Sequence, residues 1–151
     1  MLHLKQHYGF DCNCKFCTLD DERTQQRDEW ALEWIAKGND FETRWPDGGM
    51  SAPEAIALVR DMWMLALKLD YTSERARWAE EAADVALMHG NAETARRWLG
   101  LALKYFDIEL GADCQDSIRI REVLRDPTNA ENFATRERME LDGPEDAWFD
   151  S

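Results

Sequence analysis

Three of the four cysteines in this chain, Cys12, Cys14 and Cys17, stand within six residues in the order C-x-C-x2-C. The thiolate is the form of cysteine that binds metal, and three thiolates this close repel one another unless a cation sits among them. Gaps of one and two residues let a single turn aim successive sulfurs at one point. The bare spacing also fits three reduced thiols in a loop, one of them buried. Structural zinc normally takes four ligands, so the pattern supplies three and leaves a fourth to be found. His3 and His7 are four residues apart and would share a helical face, and a Cys3His site is chemically sound. The plainer reading makes both of them exposed polar histidines. Cys114 stands far along the chain at a helix start and reads as a partly buried thiol. His89, beside Gly90, fits a charge interaction with a helix C-terminus.

The elements that must position the cysteine segment are helical almost throughout. Asp20 or Asp21 caps a helix expected to run to about Lys37, with Trp30, Trp34 and Ile35 on one face and Gly38 stopping it. A loop follows over 39–50, rich in Pro46, Asp47, Gly48 and Gly49. Ser51 and Glu54 then form a capping box with Pro53 in the first turn. The helix they open carries Ala55, Val59, Met62, Ala66 and Leu69 on one face, and Ile56, Trp63 and Leu67 widen that face. Thr72 or Ser73 starts the next helix, with Trp78, Ala79, Ala82, Ala83 and Ala86 as its packing stripe and Gly90 as its stop. Asn91 caps a helix burying Ala95, Leu99, Ala102 and Phe106 and ending at Gly111. Asp113 caps another through about Arg125, carrying Ile118, Val123 and Leu124, before Asp126-Pro127 breaks it. A short helix is expected near residues 131–138, then an acidic tail that frays, in which Trp148 and Phe149 either pack back on the helices or engage a partner.

Loops this short make consecutive helices antiparallel neighbours. Their starts recur at roughly twenty-residue intervals, and the stretch from Trp78 to Phe106 partly fits the tetratricopeptide pattern, with alanine in place of its bulky residues. The fold class expected is therefore all-α: an antiparallel helix-pair, tetratricopeptide-like array behind a short cysteine-rich loop. Its divisions are residues 1–18, 19–138 and an acidic tail, 139–151.

Composition narrows the function. The chain has 151 residues, 44% hydrophobic, with seven Trp and six Phe, enough for a real core. A net charge of −13 repels phosphate backbones and argues against nucleic-acid binding, while basic protein partners remain compatible. No apolar run approaches a membrane span, and no leader pattern precedes a cleavage site. Clustered thiols are no disulfide framework, so a cytoplasmic or nuclear setting is expected. Acid pairs such as Asp20-Asp21, Glu80-Glu81 and Glu145-Asp146 read as solvated faces, with nothing apolar arranged to separate their pKa values. No phosphate-cradling loop, hydrolase triad or HExxH occurs. Trp30, Trp34, Trp63, Trp78 and Trp98 have core spacing.

The segment LKQHYGFDCNCKFC, from Leu4 to Cys17, resembles the post-SET segment of protein-lysine methyltransferases of the SET-and-MYND type, in the form L-x3-Y-x-F-x-C-x-C-x2-C. Leu4, Tyr8, Phe10, Cys12, Cys14 and Cys17 all fall in register. The helical remainder is similar, more diffusely, to the C-terminal region of such proteins, fungal ones in particular. The resemblance implies that Cys12, Cys14 and Cys17 bind zinc whose fourth thiolate comes from the SET core, near an asparagine-histidine-serine-cysteine motif. It implies that Phe10 packs on the adenine of S-adenosylmethionine and that Tyr8 lines the channel of the target lysine. A flat ring suits both, by stacking on a base and by attracting an ammonium group.

Only seven residues precede Tyr8, so the SET core, its catalytic tyrosine and its cofactor-binding segments are not among these residues. Leu2, Leu4, Tyr8 and Phe10 also offer apolar surface with nothing before them to cover it. The expectation is a C-terminal part of a longer methyltransferase, inactive alone, that needs the core in cis or trans and meets a protein substrate or partner through its helices. The reading from a different class is a free-standing helical interaction module with an inert or self-contained metal loop.

Overall fold

The computed structural model describes residues 2–150, and side chains from residue 5 onward, so the side chains of His3 and Leu4 lie outside the described residues. Among the described residues the chain is helical without strands. Its helices are α1 (Leu2–Tyr8), α2 (Asp21–Arg44), α3 (Ala52–Leu69), α4 (Thr72–Met88), α5 (Ala92–Leu110) and α6 (Gln115–Arg125). Successive helices from α2 to α6 pack side by side, α4 against α5 most extensively. Very short corners at Asp70-Tyr71 and His89–Asn91 make the neighbours antiparallel.

Capping follows the sequence where side chain and spacing agree. Ser51 Oγ accepts the Glu54 N–H at 3.3 Å and Asn91 Oδ1 accepts the Thr94 N–H at 3.2 Å, each satisfying a donor the helix leaves open. Glu54 does not complete the box; its carboxylate pairs with Arg44 at 2.9 Å. α4 begins after Tyr71 with no side-chain cap, and α6 is capped by Cys114, whose sulfur accepts the Ser117 N–H at 3.4 Å, not by Asp113. Asp70 closes α3 in the left-handed region at φ 62°, which an aspartate tolerates better than most residues.

α2 runs straight through Gly38 and ends only at Arg44. A helical glycine costs about 1 kcal/mol against alanine. Continuing delivers Phe41 and Trp45 into the core, where each is almost fully buried, and one such burial contributes roughly 1.5–3 kcal/mol. Trp30 and Trp34 share that stripe, whereas Ile35 points outward. On α3 the expected face from Ala55 to Leu69 is wholly buried, but Leu67 is not. Ala76, Ala79, Ala82, Ala83 and Ala86 on α4 have no exposed surface, and their small size lets the neighbouring helices close in. Trp34 and Phe41 meet Trp78 edge to face at 6.1 and 5.5 Å.

No helix forms at residues 131–138, and the acidic tail does not fray. The N–H groups of Ala134, Arg136 and Met139 donate to the carbonyls of Leu87, Met88 and His89, so the returning chain satisfies the open end of α4. His89 is buried at the end of α4, and its Nδ1 lies 2.6 Å from the Glu137 carbonyl, which pins this return. Farther on, Trp98 Nε1 donates to the Asp142 carbonyl at 3.0 Å and Tyr105 Oη to the Trp148 carbonyl at 2.8 Å. Trp148 stacks on Trp63 with centroids 5.1 Å apart, between α3 and α5, and Glu145 and Asp146 pair with Arg60 and Arg97 at 2.7 Å each.

Candidate metal centre

Between α1 and α2 the chain is irregular from Phe10 to Asn13, bends at Cys14 and then turns over residues 15–18. The turn is fixed by Thr18, whose N–H and Oγ1 donate to the Cys14 carbonyl at 3.1 and 3.0 Å. The ligand atoms of Cys12, Cys14 and Cys17 all lie within 4.8 Å of one another. Tetrahedral zinc with Zn–S near 2.3 Å spaces its sulfurs by about 3.8 Å, so a small inward rotation of the side chains fits them to one ion.

The electrostatics of the turn suit thiolate chemistry. The backbone N–H groups of Cys17 and Phe16, helped by the Cys12 and Cys17 thiols, stabilise negative charge on Cys14 and lower its pKa to about 7. Hydrogen bonding to Cys12 and Cys14, with some burial, pushes Cys17 up to about 11. Cys14 therefore ionises before Cys17, and a cation at the centre would relieve the repulsion that opposes a second thiolate there.

No fourth histidine, cysteine or carboxylate among the described residues joins the cluster. His7 is exposed on α1 and outside it. Cys114 is partly buried, bonded to Ser117 Oγ at 3.2 Å, and taken up as a helix cap. Tyr8 and Phe10 stand just before the cysteines with 69% and 51% of their surface exposed, so the aromatic groups expected at a cofactor and a lysine channel form no enclosed site among the described residues.

Two features near and beyond the turn were not drawn from the sequence. Lys15 and Phe16, inside the cysteine motif, form one wall of a cavity of about 470 Å³ whose other walls come from α2 and the end of α3. Lys15 Nζ pairs with Asp70, which anchors the turn to the corner between α3 and α4. The position of Lys15 and Phe16 between two ligand cysteines was the available signal; nothing in the spacing brought Trp30 or Lys68 to them. On α4, Glu81 and Asp84 are mostly buried, and desolvation raises the pKa of both. They do not form the solvated face expected of that stretch.

The chain matches no protein-family model, no curated protein and no solved structure in comparisons with each. The geometry of the turn therefore carries the functional reading.

Proposed function

We propose that this chain is the C-terminal part of a SET-domain protein-lysine methyltransferase of the SET-and-MYND type, which lends three zinc thiolates to a metal site completed by the SET core. The observation that carries the reading is the convergence of Cys12, Cys14 and Cys17 with no fourth ligand beside them among the described residues. The exposed rings of Tyr8 and Phe10, next to that site, support it further, because the resemblance gives both of them a contact there. In the whole enzyme these rings would border the lysine channel and the adenine of S-adenosylmethionine, and the helices would meet the substrate or a partner protein. The turn would hold its zinc as structural thiolates, and the methyl donor would be bound chiefly by the core. Alone, the chain is expected to transfer no methyl groups.

A second reading, a free-standing interaction module, is favoured by the core that α2 to α6 and the returning tail build together, in which Trp63 and Trp98 are fully buried. Metal stoichiometry separates the two. For the methyltransferase part, the reduced chain binds zinc weakly and gains affinity by at least about tenfold when a SET core carrying the missing thiolate is added. One tightly held zinc per chain, lost in His7→Ala, would overturn that reading and favour the module.

A further inference from the structure

The cavity beside the cysteine turn differs from the rest of this acidic surface. Four cations, Lys15, Arg23, Arg27 and Lys68, line it against the single carboxylate of Asp70, in a chain of net charge −13. Between them the lining is Phe16, Leu19, Trp30 and Leu67, with Gln26 as its one neutral polar side chain. Lys15 is engaged with Asp70, and Arg23 with Asp20 at 3.7 Å. Arg27 and Lys68 are held differently, by ring faces: the Arg27 guanidinium lies 4.4 Å from the Phe16 centroid and Lys68 Nζ 5.3 Å from that of Trp30. A ring face orients a cation without neutralising it, and a stacked guanidinium keeps its in-plane N–H donors for a carboxylate. Arg27 Nε is in addition buried without a hydrogen-bond partner.

We infer that this cavity docks a short acidic segment of a partner protein, one large apolar side chain entering between Phe16, Trp30 and Leu67 while its flanking carboxylates meet Arg27 and Lys68. Charge complementarity selects an anion. At physiological salt, charges beyond about 8 Å are screened, so the local cations outweigh the distant acidic faces for a short segment. A nucleic-acid strand would run past the cavity onto those faces. Phe16 belongs to the cysteine turn, but Arg27, Trp30 and Lys68 belong to α2 and α3, so the charges that meet the peptide do not depend on a bound metal.

The test is fluorescence anisotropy of a labelled peptide, EDELWLDED, against the reduced full chain with and without zinc. The expected result is saturable binding, weakened about tenfold or more when lysine replaces every acid of the peptide. The double variant Arg27→Glu with Lys68→Glu is expected to lose the acidic peptide to a similar degree and to gain the lysine peptide, at an unchanged melting temperature. Absence of binding, equal binding by the variant, or competition by a single-stranded oligonucleotide as effective as unlabelled peptide would overturn the inference. Zinc uptake is read separately, so failure of the chain to hold metal leaves the peptide titration intact.

Discussion

Glu81 and Asp84 lie one helical turn apart on α4 and are held largely away from water. Burial is the main cause that raises each pKa; the charge of Asp84 adds to it at Glu81, while the Asn132 hydrogen bond opposes it at Asp84. The folded protein therefore keeps these protons to higher pH than the unfolded chain does. Folding stability falls as pH rises from their ordinary values, 4.5 and 3.8, through the raised ones, and the loss is complete above them. Glu81→Gln removes the ionisation and is expected to raise the urea midpoint at neutral pH, with the gain gone near pH 4. An unchanged midpoint at neutral pH would contradict the burial argument. Cys14 obeys the opposite logic, since backbone N–H groups favour its charged form.

At the scale of elements, α4 is the helix through which the array is tied together. It packs against both α3 and α5, and its alanines have no exposed surface. Ala83→Leu forces added side-chain volume into that contact and is expected to cost about 1–3 kcal/mol, measured by urea unfolding. An unchanged midpoint would mean that the helices can part at no cost. Helices α3 and α5 were legible in the sequence because cap, stripe and stop agree at Ser51, Asn91 and Gly111. The sequence ends α2 too early because Gly38 is a local signal, while the burial of Phe41 and Trp45 that overrides it is tertiary. The short helix expected near residues 131–138 does not form, because the hydrogen bonds of residues 134–139 go to carbonyls at the end of α4 and impose no period on their own sequence. The three-sulfur cluster was legible because its ligands are local. The cavity was not, because three separate elements build it.

For the whole molecule, the deciding contact is Trp148. It is 5% exposed, although it stands near the chain's end in a sequence dominated by acids and turn residues. Trp148→Ala removes the stack on Trp63 and opens a void between α3 and α5, at an expected cost of about 3–5 kcal/mol. Chemical denaturation checks it, and a loss below about 1 kcal/mol would show that the tail rests on the array without supporting it.

A row of helices that touch only their neighbours can unravel from either end, one pair after another. The strap from Ala134 to Trp148 changes that behaviour, because it is laced to α4 and α5 and reaches Arg60 and Trp63 on α3. No helix in this central group can peel away without also tearing the strap. Heat would therefore melt α3, α4 and α5 as one block, with a single sharp transition in place of a staircase.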